Sequence, residues 1–592
     1  MSKKFVNQLI SVSTKEELAD RWWPKEIREE LKLEIPATIY IQDPFLAKNN
    51  PDLVQGIRLL WESGLLDGPT SSRIAVVDYD GDKNELSKSA SWNKDRWCFV
   101  GLNDQELKAG GKEGYQFHQV NVWAVISSVL AYFQGQDAMG RRIPWGFEGN
   151  RLIVLPHAGY GENAFYDRQS KSLQFYYFDS DNERVYTCLS HDIIAHETGH
   201  AILDGIRPYY NEISSYQTSA FHEFIADLSA ILTSMRNNDM RRVMKEATKG
   251  DLTKDKFVAN IAEGFGKYVE NREFLRTAHN RIKMANVNEN NSPHDNSQVL
   301  TGAMFDIMIR MSAKYMGERK KTPGQALWYT IERFTRVALQ PLDYCPPVDI
   351  QFEDFTNAIL VRDRLVDPQD PYKYRAIMRK VFAERQIPYN DKEEETDYSD
   401  FFCKNIDQVL TSNMEAYEYI HKKREKLYIP EEQDIIVLDS YQTRKVGRLN
   451  KRLPKEIVVQ YIWQEDIELK GNRFEQLEGK KVALLCGGTL VFDDEGNLLY
   501  WCRKPGTQFK IRIKHRGDKE KEDNEFQAGG KRIKQLLDYI ESLIKQGEVG
   551  LTAARDAGSI TIWSQVEFQD VGGNLKLGMS PRIHFYETQK DY

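Results

Sequence analysis

The chain has 592 residues, with 81 Lys and Arg against 88 Asp and Glu, for a formal charge of −7. That length supplies ample core for three or four folding units. The mild acidity gives no argument for nucleic acid or an anionic membrane surface as partner, and no apolar run of membrane-spanning length is present.

Residues 1–35 read as an N-terminal helical extension, with a charged amphipathic stretch from Lys15 to Leu33 and no sustained apolar region of a secretory signal. The six cysteines (98, 188, 345, 403, 486 and 502) lack C-x-x-C spacing and read as free thiols. Both features lead us to expect a cytoplasmic protein. Residues 36–190 form a β-rich unit, with short strand patterns at Thr38–Ile41 and Ile74–Val77. Asp78 to Glu85 resembles a calcium loop only loosely, because its glycine comes too early, and a hairpin turn is expected there. Calcium is therefore not expected. Phe117 to Phe133 has helical apolar periodicity, with His118 at its start in a packing or capping role. Leu152–Leu155 and Leu173–Phe178 read as strands.

The run Asp192-Ile-Ile-Ala-His-Glu-Thr-Gly-His-Ala-Ile-Leu-Asp204 follows. Its apolar residues predict a buried helix. Ser190 and Asp192 suit the N-terminus, and Gly205 with Pro208 suits the end. A four-residue step turns a helix by about 400°, so His196 and His200 leave the same face. Two imidazoles so placed can hold one Zn²⁺, with Glu197 beside them as a base. Histidine is scarce (11 in the chain), so H-E-x-x-H arises by chance in only on the order of one per cent of such chains. The third ligand is sought in Ala220 to Leu232, a second apolar helix carrying acids. Glu223 and Asp227 share one face there, and His222 points about 100° away from Glu223. Glu223 is expected on the metal and Asp227 on the second N–H of a ligand imidazole; His222 stays a rival ligand.

These motifs resemble the thermolysin family of gluzincin metallopeptidases, which pairs H-E-x-x-H with a downstream E-x-x-x-D, here Glu223 to Asp227. Gly161-Glu-Asn-Ala-Phe-Tyr166 looks like the family's edge strand. The resemblance implies that Asn163 and the Ala164 backbone hold substrate main chain and that Ile193 lines an apolar pocket. Phe274-Leu-Arg-Thr277 is similar to another family segment, which implies Leu275 in the same pocket and Arg276 on a substrate carbonyl. Glu289-Asn-Asn-Ser-Pro-His294 is similar to the element that carries a catalytic histidine. That implies His294 at the transition state, oriented by Glu289. The family's oxyanion tyrosine falls in an inserted loop, where Tyr209, Tyr210 and Tyr216 compete. The similarity covers about 35–388.

Residues 191–388 thus make a zinc helix and an α-helical lobe, with further helices expected at 241–247, 255–270, 298–315, 322–337, 352–364 and 371–384. Residues 389–430 read as an acidic linker and a helix-like stretch at 403–427. Residues 431–592 read as an α+β domain of unknown role. Its strands are expected at 434–440, 456–463, 481–486, 489–493, 497–503, 508–514, 559–567 and 582–587, with a helix at 533–544 and a charged loop at 516–530. The fold class is therefore α+β: a thermolysin-like two-lobed peptidase followed by a separate C-terminal α+β domain. The function implied is a zinc-dependent endopeptidase with one catalytic zinc, acting on a protein or peptide. A regulatory protein partner is envisaged through 431–592; nucleic acid and membrane are not. The alternative is a non-catalytic or latent protein that keeps the metallopeptidase fold for binding or regulation.

Overall fold

A computed structural model describes residues 33–579, except 49, 63, 110–113, 181–182, 213, 262–275, 391–397, 448–450, 507–525, 547–565 and 572–573. Most of the expected N-terminal extension lies outside these residues. So do the centre of the acidic linker, Leu275, the strands at 508–514 and 582–587, and most of the charged loop.

The chain is an α+β protein. Before the zinc motif, strands β1 (Ile74–Val76), β2 (Leu152–Leu155), β3 (Ala164–Asp167) and β4 (Ser172–Phe175) form a sheet in the order β1-β2-β4-β3. β1 and β4 run parallel to β2, and β3 is an antiparallel edge strand. Helix α1 (Gly114–Gln134) is buried continuously from Gln116 to Ile126, and its buried polar residues Gln116, His118, Gln119 and Asn121 are hydrogen-bonded. Helices α2 (His191–Ile206), α3 (Tyr216–Arg236) and α4 (Pro293–Gly317) pack in succession, α1 on α2, α2 on α3 and α3 on α4. The Ser215 hydroxyl caps α3 by accepting from Thr218 N–H, and the Ser292 hydroxyl caps α4 by accepting from Asp295 N–H. Among the described residues, no helix is long and apolar enough to cross a membrane.

Several expected elements take a different form. The stretch from Asp255 to Ala259 is not helical, because the Asp255 carboxylate accepts from Val258 and Ala259 N–H and draws the backbone into a turn. Asn260–Ile261 then pairs with Arg276–Thr277 as a short hairpin. The strand expected at 173–178 is broken at Tyr176, whose N–H bonds to Asn163 and Thr187. Residues 403–427 form two helices, Ile406–Thr411 and Asn413–Lys422, with Ser412 capping the second. Tyr79–Asp80 pairs with Glu85–Leu86, the hairpin expected there.

The C-terminal region contains β5 (Ile436–Thr443), β6 (Glu456–Glu468), β7 (Lys481–Asp493), β8 (Leu498–Lys504), helix α5 (Phe526–Lys545), β9 (Val566–Val571) and β10 (Asn574–Met579). The sheet order is β5-β6-β7-β10-β9, with β8 also on β7. The two short strands expected at 481–493 are one, running through Gly487 and Gly488. Side chains alternate along a strand, and here both faces are covered. Ile457, Val459, Tyr461 and Trp463 face the C-terminal helices, whereas Val458, Val491, Tyr500 and Cys502 join the main core of the preceding helical region. The sheet therefore keeps a core of its own on one face and packs on the preceding region with the other.

A buried charge cluster ties the same interface. Lys445 Nζ lies 2.6 Å from Asp343 Oδ2 and 3.8 Å from Glu456 Oε2. Arg141 pairs with Asp343 at 3.0 Å and Arg362 with Glu456 at 2.6 Å. Burial works to raise the Asp343 pKa, but Lys445, Arg141 and Arg207 outweigh it and hold the carboxylate well below the usual range. Removing one partner leaves buried charge uncompensated, which costs about 3–5 kcal/mol. Lys445→Met is accordingly expected to lower unfolding free energy by about 3 kcal/mol in urea titration; a loss under about 1 kcal/mol would mean that the cluster contributes as a solvated surface pair does.

Candidate metal centre

All residues of α2 are buried. Ser190 occupies the N-cap position without a side-chain capping bond, and Asp192 lies in the first turn, where the helix dipole favours an acid. The helix ends at Ile206, before Pro208. Gly205 permits a close approach, since a Cβ there would lie 1.9 Å from the Pro144 carbonyl oxygen.

His196 and His200 project from one face, with their Nε2 atoms 3.2 Å apart. Glu223 on α3 faces them. Its Oε2 lies 3.4 Å from His196 Nε2 and its Oε1 lies 3.6 Å from His200 Nε2. Donors about 2.1 Å from a tetrahedral ion stand about 3.4 Å apart, so this triangle fits zinc with a fourth position left for water or substrate. Two imidazoles and one carboxylate are also a donor set that zinc favours. His222 is not in the triangle. Its ring lies 5.9 Å from that of His200 and roughly parallel to it, with Tyr210 against it.

Asp227, one helical turn after Glu223, lies behind His196, with its Oδ1 3.0 Å from His196 Nδ1. This directs the Nε2 lone pair of His196 toward the triangle. Arg276 Nη2 donates to the same oxygen at 3.0 Å. Burial tends to raise the Asp227 pKa, but Arg276 and His196 prevail and the carboxyl is held well below its usual range. Arg276 was expected on a substrate carbonyl; its observed contact is this outer carboxylate, a role without a sequence signal because 49 residues separate the pair. Glu197 is buried on α2 directly after His196. His294 Nε2 stands 2.9 Å from Glu223 Oε2, and at 12 % exposure its side chain is more open than either ligand imidazole at 6 %. His294 thus sits at the mouth of the site. Glu289 contributes its main-chain carbonyl to bonds with Ser542 and Gln546.

Other expected residues fall around this centre. Ile193 is buried in the first turn of α2. Asn163 precedes edge strand β3, and its Oδ1 accepts from Ala164 N–H at 2.9 Å. That commits the Ala164 N–H within the protein, so it is not the group that would receive substrate. Tyr210 is fully buried and donates to the Pro346 carbonyl at 2.7 Å, which removes it from the oxyanion candidates. Tyr209 packs against Val348, Ile462 and Leu485, and Tyr216 begins α3. Both remain. No protein-family model matches the chain, and no curated protein matches it significantly.

Two outcomes follow from this geometry. Asp227→Asn keeps the size of the side chain but weakens its hold on His196, so zinc affinity should fall about 10–100-fold in competition with a chromophoric chelator, with unchanged circular dichroism. The second concerns Asp255, whose turn leads into Asn260–Ile261, the strand that pairs with Arg276–Thr277. Burial pushes its carboxyl up to about 6, partly offset by the Val258 and Ala259 N–H groups and by His279. A raised acid contributes stability below its unfolded pKa, near 4, and loses it as pH rises through about 6. Asp255→Asn should therefore gain stability relative to the parent between pH 4 and pH 7.5, by about 2 kcal/mol in urea titration; a pH-independent difference would contradict the assignment.

Proposed function

We propose that the protein is a zinc-dependent endopeptidase with a two-lobed, thermolysin-like catalytic unit. The observation that carries this reading is the triangle of His196, His200 and Glu223, at spacings suited to zinc, with the base Glu197 on the same helix. Bound there, zinc supplies a Lewis acid for a peptide carbonyl and makes water more acidic. Glu197 takes a proton from the attacking water and delivers it to the departing amine. His294, whose Nε2 contacts Glu223 Oε2 in the substrate-free protein, would exchange that contact to donate an N–H to the carbonyl oxygen as it gains charge. Among the described residues, edge strand β3 has one side without a strand partner, along which an extended peptide can lie. Ile193 contributes an apolar wall that favours a bulky hydrophobic residue after the cut. The six cysteines carry no disulfide, which suits a reducing, cytoplasmic setting.

A restrained, latent enzyme is a second reading with an observation of its own. The Ser542 hydroxyl of α5 donates to the Glu289 carbonyl at 2.9 Å, five residues before His294. The C-terminal region thereby holds the loop that leads to the mouth of the site, and a partner that drew α5 away would release it. The intact Glu197 and ligand set argue against a purely non-catalytic scaffold.

Glu197→Gln tests the main reading. It should retain zinc at parental stoichiometry and lose peptide hydrolysis by about 10²–10⁴-fold, measured on a proteome-derived peptide library. Zinc retention with near-parental turnover would remove Glu197 as the base.

A further inference from the structure

The described residues bring a second group of metal-ligating side chains together, apart from the His196 triangle. His118 on α1, His157 after β2 and Cys188 in the turn before α2 place their Nδ1, Nε2 and Sγ atoms within 4.8 Å of one another. His118 Nδ1 lies 2.9 Å from His157 Nε2, and Cys188 Sγ lies 4.0 Å from the same nitrogen. All three residues are buried, His157 and Cys188 completely.

The surroundings have the organisation of a built metal site. The other nitrogen of His157 lies 2.7 Å from Asp78 Oδ1, and Asp78 Oδ2 accepts from Gln119 at 2.6 Å. Asp78 therefore takes the Nδ1–H of His157 and turns its Nε2 lone pair toward His118 and Cys188. Asp227 does the same for His196 in the first site. Tyr115 stacks on the His157 ring at 4.1 Å, and Tyr186 stands edge-on to His118 at 4.6 Å, which fixes both rings.

We propose that His118, His157 and Cys188 hold a second zinc ion, as three of its four donors. Zinc–nitrogen bonds of about 2.1 Å and a zinc–sulfur bond of about 2.3 Å put tetrahedral donors about 3.4–3.6 Å apart. The two imidazoles would separate by a few tenths of an ångström, and the Cys188 side chain would turn inward by a similar amount. On binding, the thiol loses its proton to solvent, a zinc–thiolate bond forms, and no oxidant or reductant is involved. The ion would join α1, the loop after β2 and the turn that starts α2, three parts of the chain that meet near the beginning of the zinc-motif helix. A bonded cluster of histidines with no metal is the competing explanation. In that explanation Cys188 is one more packed side chain of the main core.

Cobalt substitution separates the two, because the His196–His200–Glu223 site contains no sulfur. The full chain loaded with Co²⁺ should bind two ions and show thiolate-to-cobalt charge transfer in the near ultraviolet. His200→Ala should bind one ion and keep that band. Cys188→Ser should also bind one ion and lose the band, and Cys98→Ser should match the parent. Should Cys188→Ser fail to fold, the parent and His200→Ala spectra still decide. One ion in the parent without the band, or a band that survives Cys188→Ser, overturns the proposal. Loss of binding in His200→Ala with the band and one ion intact in Cys98→Ser and parent also overturns it, since the sulfur ligand would then belong to the first site. The outcome is independent of peptidase activity.

Discussion

Helices α2 and α3 can approach closely only because position 199 has no side chain. A Cβ there would come within 2.6 Å of Ser229 Oγ and 2.9 Å of Ala226 Cα. Ala226 lies between Glu223 and Asp227, next to the latter, so this crossing point sets the distance from both acids to the imidazoles of α2. Glu223 then meets the Nε2 atoms, and Asp227 meets the far side of His196. A wider crossing would leave two carboxylates and two imidazoles buried without their mutual contacts, a costly arrangement in an apolar helix pair. The surrounding core makes the geometry stiff, because close-packed interiors resist sub-ångström displacement.

The C-terminal region extends that constraint. Its sheet shares a core with the preceding helices, and the Asp343–Lys445–Glu456–Arg362 cluster spans the same boundary. Cores and charge clusters of this kind have few alternative arrangements, so the attachment is expected to be rigid. The contact at Glu289 is different in kind: its carbonyl accepts neutral hydrogen bonds from Ser542 and, more weakly, Gln546, each worth about 1 kcal/mol or less. The contrast gives the region a firm anchor and one weak tether beside His294, a combination suited to adjusting a loop without dismantling the fold.

The zinc motif was legible because it depends on one periodicity within one helix. The i, i+4 spacing of His196 and His200 fixes their common face, and the same spacing pairs Glu223 with Asp227. The choice of Glu223 over His222 also followed from helical geometry, although the second helix could not be docked from its sequence. Arg276 was read from a local segment, and its strand pairs with Asn260–Ile261, which the sequence suggested as part of a helix at 255–270. The fully committed hydroxyl of Tyr210 had no local signal at all, since its acceptor is the carbonyl of Pro346. In the C-terminal region strands were recognisable, but apolar residues on both faces of β6 left open what covered each face.

The sequence by itself determined the α+β class, the two helices α2 and α3 and the faces from which their acids and histidines project, because these follow from short-range periodicity. Only the tertiary structure decided that the two faces meet at Gly199, that His294 stands at the mouth, and that the C-terminal sheet joins the neighbouring core. It also brought His118, His157 and Cys188 together from across 70 residues. Contacts between distant segments depend on how whole helices and sheets pack, and no local pattern of residues encodes that arrangement.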